Sequence, residues 1–455
     1  MNIIAELTDL LGDAAVIPPE KLDLRDPGVV PENGHGVCGV APADASEAQA
    51  LFRWATKTGT PVVPQGGRTG LAGGAAGHNR AVLLLTHRLA RQIDVDPVSS
   101  TALLSSNVTL AQAESSARQH GLSLGIDLGA RDSCMIGGMI STNAGGMEAF
   151  RNGQMRQRVL GLEAVMPDGT LMSDLSRVRK CNEGYDIKQL LIGAEGTLGL
   201  VTTACLQLVP APPPSETALI AAHDALAALA IFHRLQKATD LTVLRAEAMW
   251  PGYFELTAEL NDQGDRIVDG AGLYLLLELV GDPVDEALFA HTEADLETGA
   301  VLDITLAASQ SQANDLWRIR EDSFAISRRH PHSLWFDVSV PLAELDDYVA
   351  QMRQRVIAID DRLDAVAIAH LGDGNLHITV GYPEPFSNAL ANAVKPAIFD
   401  GIKARGGAFS AEHGIGTEKA AVLSTYGDPG KRVLMERIKT AFDPAGICNP
   451  GKVLA

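Results

Sequence analysis

Residues 61–77, PVVPQGGRTGLAGGAAG, set a short apolar strand directly before a loop with six glycines, at 66, 67, 70, 73, 74 and 77. With no Cβ in the way, successive backbone N–H groups of such a loop can converge on an anion. The spacing is neither G-x-G-x-x-G opening a helix nor G-x-x-x-x-G-K-[ST]. Taken alone, the loop reads equally well as a glycine-rich surface turn. Two further segments repeat the pattern. Residues 129–154, GARDSCMIGGMISTNAGGMEAFRNGQ, carry glycine pairs at 137/138 and 145/146 with Ser133, Thr142 and Asn143 interleaved, and residues 193–199, GAEGTLG, add a third. Three such loops, each beside a strand end, would wrap one elongated ligand in backbone donors and small hydroxyls.

Around these loops the pattern is α+β, not a regular βαβ array. Ser46 to Thr58 reads as a helix with a serine cap and a stop at Gly59, and Thr109 to Gly121 as a second capped helix. PAPPPSE, 210–216, can continue neither a helix nor a central strand. The expected organisation is therefore a glycine-loop domain at 1–212, a β-rich domain at 213–408, and a helical segment at 409–455 that returns to the first domain. Beyond the proline run, ALIAA, YLLLELVG, WFDVSVP, AVAIAH and LHITVGY alternate with amphipathic helices such as Leu342 to Ile359. An antiparallel sheet with helices on one face satisfies that order.

The whole chain narrows the function classes. At 455 residues it exceeds the size of one growing core, so two or three domains are expected. A net charge of -19 argues against nucleic acid and anionic membrane surfaces as partners. Five dispersed cysteines with no C-x-x-C give neither a disulfide framework nor an iron–sulfur site. The N-terminal MNIIAELTDLLGD lacks a basic flank and reads as an amphipathic helix, and no apolar run approaches the ~20 residues of a transmembrane span. A soluble cytoplasmic protein is expected, with peripheral contact to an inner membrane left open.

AVAIAHLGDGNLHITVGY, 365–382, reads as a hairpin about Asp373-Gly374. With those two residues as turn centre, His370 directly faces His377, their Cβ atoms about 5 Å apart on one face. Either histidine alone reads as an ordinary strand-end residue; the opposed pair suits a shared metal ion. Glu412 in SAEHGIGTEK is the candidate third ligand, since a carboxylate with two imidazoles suits zinc or manganese. His413, adjacent to it, points to the other side in extended backbone and can face a substrate. WRIRED, 317–322, offers Arg318 and Arg320 as planar clamps for a carboxylate, against a reading as a solvated helix face.

PxGGxTGLxGG, DLGAxxSCxIGGxxxTNAGG and GYDIKQLLIGAEGTLGLVT together resemble the FAD-binding domain of the vanillyl-alcohol oxidase and p-cresol methylhydroxylase superfamily. Within it, the chain is most similar to the D-2-hydroxyglutarate, D-lactate and glycolate dehydrogenase group. The resemblance covers nearly the whole chain. It implies a two-subdomain FAD-binding domain with an antiparallel-sheet cap domain covered by helices. It implies pyrophosphate contacts from Pro64, Gly66, Gly67, Arg68, Thr69, Gly70 and Leu71. It also implies flavin and ribityl contacts around Ser133, Gly137, Gly138, Thr142, Asn143, Gly145 and Gly146, adenosine-side contacts near Glu195, Gly196 and Gly199, and a cofactor contact at Asn449. HLGDGNLH and AEHGIG match the group's metal and active-site motifs, which implies His370, His377 and Glu412 as ligands of a divalent zinc or manganese ion and His413 as general base. Arg320 is implied as the substrate arginine. FAD is expected to be non-covalent, His78 being the one histidine near the first loop.

The implied activity is oxidation of a D-2-hydroxy acid by hydride transfer to flavin, with electrons passing to a quinone or an electron-transfer flavoprotein, and with a homodimer compatible. Departures from the pattern are Gln65 and Arg68 in the first loop, and Phe324, Trp335 and Thr379 where threonine, lysine and asparagine are expected. Apolar side chains there weaken recognition of a second carboxylate, which gives weight to D-lactate or a more hydrophobic acid beside D-2-hydroxyglutarate. The alternatives are a glycolate-oxidase-type subunit of a multi-chain complex, a flavin-dependent synthase of the same fold, and a non-catalytic FAD-binding protein.

Overall fold

The computed structural model describes residues 2–322 and 324–454, without the side chains of 324 and 325, so the expectation placed on Phe324 lies outside the described residues. The chain divides into two compact units, one of residues 1–211 with 412–455 and one of residues 212–411.

Among the described residues, the first unit holds two larger sheets and a two-stranded one that pairs Leu122–Ser123 with Val209–Pro210. In the four-stranded one, Cys38–Val40, Val82–Leu85 and Val62–Gln65 run parallel, with Val16–Ile17 added antiparallel at the edge. The helix Ala45–Thr58 makes the crossover: Leu51 and Phe52 are buried against Val82, Leu84 and Ile447. Its cap is Asp44, not Ser46; the Asp44 carboxylate accepts from Glu47 N–H at 2.9 Å, and Gly59 ends the helix in the left-handed conformation. The five-stranded sheet is antiparallel, in the order Ile93–Asp96, Thr101–Ser105, Leu200–Gln207, Val159–Val165, Leu171–Asp174. The helix Leu110–Arg118, started by a Thr109/Gln112 capping box, and the helix Ile136–Thr142 share its core. Near the chain end, Val62 N–H donates to Ile447 O, so the last residues join the parallel sheet beside the first glycine loop.

The second unit is built on a seven-stranded antiparallel sheet, in the order Val301–Leu306, Glu216–Ala222, Leu273–Gly281, Leu241–Met249, Asp364–His370, Asn375–Tyr382, His332–Ser339. Helices cover both faces of its centre, not one. Leu219, Tyr274, Leu276, Met249 and Ile368 pack on Tyr253, Phe254, Leu316 and Ile319. The alternate residues Ala218, Ile220, Leu275 and Leu277 point the other way and are equally buried; the helices Ala225–Lys237 and Val284–Thr298 contact these strands, and the helix Leu345–Ile357 contacts Asp364–His370. This explains why LYLLL, 273–277, is a continuous apolar run with no alternation.

Candidate functional site

In the first unit a cavity of about 340 Å³ is walled by all three glycine loops. Pro64, Gly66, Gly67, Arg68, Thr69, Gly70 and Leu71 line it, as do Gly137, Gly138, Thr142, Gly145, Glu195, Gly196, Gly199, Glu412 and His413. Two observations fit it to a bound cofactor. A Cβ placed on Gly70 or Gly138 would meet no atom of the described chain within 4 Å, and neither has positive φ, so the protein's own packing gives no reason for glycine there. Close approach of a ligand does. Also, Gln65 Oε1 and Ser106 Oγ are buried in the lining without a hydrogen-bond partner among the described residues, which is where an unfilled polar contact is expected.

The other implied cofactor residues stand elsewhere. Ser133 lines a neighbouring cavity. Asn143 is left-handed (φ 54°); its amide donates to Gln154 and its oxygen accepts from Arg156 N–H. Asn449 is 1% exposed and joins two loops, donating to Gly74 O at 2.9 Å and Glu195 O at 2.7 Å. Gly146 N–H donates to Glu412 Oε1 at 2.6 Å.

The segment after Glu412 is stitched into the same loops. Glu195, buried and left-handed at φ 52°, accepts Ile415 N–H and Gly416 N–H at 2.7 Å each, one per carboxylate oxygen. Thr417 N–H donates to Ala72 O. The chain is thus pinned on both sides of His413. Burial raises the Glu195 carboxyl above the ordinary range, opposed by the two N–H donors. A carboxyl raised in the folded state contributes stability that is complete below the unfolded value of about 4.3 and is lost as pH rises through the folded value. Glu195→Gln should abolish that loss; calorimetric Tm against pH should fall for the wild type across this window and stay flatter in the variant, and parallel curves would contradict the assignment.

In the second unit, four adjacent strands bring polar side chains to one face. Glu247, fully buried, is the cross-strand partner of His370, and its Oε1 lies 2.7 Å from His370 Nδ1. Its Oε2 takes Arg320 Nε and a terminal Arg320 nitrogen, each at 2.6 Å. Burial by itself would raise the Glu247 carboxyl, but the charges of Arg320 and His370 and their hydrogen bonds overcome it and hold the group below the ordinary carboxylate range. Arg318, by contrast, is exposed and pairs with Asp315.

His370 and His377 do come together, but not as a directly opposed pair. His370 pairs with Asn375, and His377 with Ile368. The hairpin loop is four residues, Leu371 to Gly374, because Gly374 takes φ 75° and its N–H closes on His370 O. The histidines are therefore diagonal neighbours on one face. Their Nε2 atoms are 3.2 Å apart with the rings edge-on at 86°. Two nitrogens bound tetrahedrally to zinc at about 2.0–2.1 Å stand about 3.3 Å apart, so the spacing fits a shared cation.

Asp337, fully buried, is the cross-strand partner of His377 and accepts from Asn375 Nδ2 at 2.9 Å and Ala411 N–H at 3.0 Å. Trp335 and Thr379 form the next pair on that face; Trp335 is 49% exposed. Glu247 and Asp337 were missed by the sequence-based expectations. The available signal was a lone carboxylate inside an apolar strand, in VLRAEAM and WFDVSV.

Comparison with known proteins agrees with this division. Residues 38–174 match a family described as an FAD binding domain, and residues 211–453 match the C-terminal domain of FAD linked oxidases. The chain is 35% identical over 431 residues to D-2-hydroxyglutarate dehydrogenase of Xanthomonas citri pv. viticola, covering 90% of this chain and 88% of that one. It is 33% identical over 416 residues to the mitochondrial D-2-hydroxyglutarate dehydrogenase of Bos taurus, covering 91% and 76%. Among solved structures, p-cresol methylhydroxylase has the same fold at TM-score 0.74 and 18% identity, covering 99% of this chain and 96% of that one. So does 4-ethylphenol oxidase from Gulosibacter chungangensis, at 0.73 and 19%, covering 100% and 96%. Among the described residues, no helix is long and apolar enough to cross a membrane.

Proposed function

The chain belongs to the FAD-linked oxidases and is an FAD-dependent hydroxy-acid dehydrogenase, and on that premise we propose that it oxidises a D-2-hydroxy acid to the 2-oxo acid, using non-covalent FAD and a divalent cation, zinc or manganese. The observation that carries the metal-assisted part is the 3.2 Å approach of the His370 and His377 Nε2 atoms. Bound FAD supplies a two-electron acceptor, and a cation held there supplies a Lewis acid that lowers the pKa of an alcohol.

The rest falls to the chain's own groups. Glu247 takes the Nδ1 side of His370 and fixes which nitrogen faces His377. We assign Glu412 as third ligand: it follows Ala411, whose N–H is held by Asp337, the strand partner of His377. His413 is the group that accepts the hydroxyl proton. Arg320 clamps the substrate carboxylate; Glu247 fixes its Nε and one terminal nitrogen, and the other terminal nitrogen has no hydrogen bond among the described residues. Trp335 and Thr379, beside His377, favour D-lactate-like or more hydrophobic acids alongside the D-2-hydroxyglutarate of the relatives' names. With no iron–sulfur motif or NAD fingerprint in the sequence, electrons leave to an external carrier, a quinone or an electron-transfer flavoprotein.

Dialysis of the FAD-loaded protein against a chelator tests the metal role. Turnover should be lost while the oxidised-flavin absorbance stays, and zinc or manganese should restore it. Undiminished turnover, or loss of flavin together with metal, would remove the cation from the chemistry.

A further inference from the structure

We propose that a second anion site lies beside the first glycine loop, in a cavity lined by both Arg25 and Arg68, and that it takes the phosphate group of a small molecule other than FAD. The cavity has a volume of about 220 Å³, and Gln65, Thr86, His87, Thr109, Asp132 and Ser133 complete its polar lining. Neither Arg25 nor Arg68 has an ion-pair partner among the described residues, and Arg25 Nε is buried there without a hydrogen bond. Asp26, next to Arg25 in the chain and outside the cavity lining, accepts Gly28 N–H at 2.8 Å on one carboxylate oxygen and attracts Arg68. Two guanidinium groups and an imidazole thus face one carboxylate, Asp132, in a chain whose net charge is -19. Burial, and then repulsion from Arg25, hold Arg68 below the ordinary arginine range against the pull of Asp26, so an anion between the two guanidinium groups offsets their repulsion.

A second observation comes from the backbone. Arg68 has φ 55°, a left-handed conformation that glycine takes freely and arginine does not, in a loop otherwise rich in glycine. A strained residue that keeps a long cationic side chain marks a position where the side chain is used. Two planar forks approaching from separate segments, with the hydroxyls of Thr86 and Thr109, surround a tetrahedral oxyanion better than a flat carboxylate. The cavity shares Gln65, Gly66, Gly67, Arg68, Thr86 and Met135 with the cofactor cradle, but Arg25, His87, Thr109 and Asp132 line this cavity and not the cradle.

The test is calorimetric titration of the FAD-loaded protein with inorganic phosphate, at constant ionic strength against a chloride control. One saturable site per chain is expected. Arg25→Gln should weaken it at least tenfold with flavin content and turnover unchanged, and Arg68→Asn should weaken it as well. The proposal is overturned if the FAD-loaded protein shows no saturable binding, or if Arg25→Gln binds phosphate as tightly as the wild type. It is equally overturned if phosphate binds only FAD-free protein and is displaced on loading, since the cavity would then be part of the cofactor site.

Discussion

Glu247→Gln is expected to lower the affinity for zinc or manganese by about 10–100-fold and to destabilise the protein by about 3–5 kcal/mol. The side chain is fully buried and serves two cationic partners with one carboxylate, Arg320 on Oε2 and His370 on Oε1. An amide has one acceptor atom and places an NH₂ group against one of the two. Arg320, with only 11% of its side chain exposed, is left without its counter-charge, and His370 loses the acceptor that fixes its ring. Metal content per chain and calorimetric Tm report the two effects separately. Full metal occupancy with an unshifted Tm would show that Glu247 holds neither partner in place.

His413→Asn is expected to lower kcat by about 10²–10⁴-fold, the usual worth of a positioned proton acceptor, with FAD stoichiometry retained. The chain is pinned on both sides of this residue, by Gly146 N–H on Glu412 and by Glu195 on Ile415 and Gly416. The exchange therefore removes the imidazole without releasing the segment. KM should change little, because the proposed carboxylate clamp and the proposed metal ligands remain. Flavin content by absorbance and steady-state kinetics check this; a fall of less than tenfold with FAD retained would assign the proton to another group.

How far the sequence reaches can be seen residue by residue. Capped helices and the glycine loops were legible because their signals are local: Thr109 and Gly59 act within one turn. The hairpin was legible as a hairpin, yet its register was not, since Asp-Gly is compatible with loops of two or four residues and the Gly374 contact with Val340 lies outside the local sequence. Parallel pairing of Cys38–Val40, Val62–Gln65 and Val82–Leu85 was not expected, because short buried strands carry no mark of direction. Asn449, Glu195 and Gly146 could be named as neighbours of a cofactor; that they join loops to one another depends on partners up to 375 residues away in the chain. Glu247 is the largest omission, and its partners Arg320 and His370 lie 73 and 123 residues away.

What reduces the flavin identifies the substrate and its handedness. The FAD-loaded protein should be mixed anaerobically with the D and L forms of a panel of 2-hydroxy acids, D-lactate and D-2-hydroxyglutarate among them, while the oxidised-flavin absorbance is followed. Bleaching by D-enantiomers alone, slowed by His413→Asn, is the predicted result; bleaching by L-enantiomers, or by no 2-hydroxy acid at all, would contradict it.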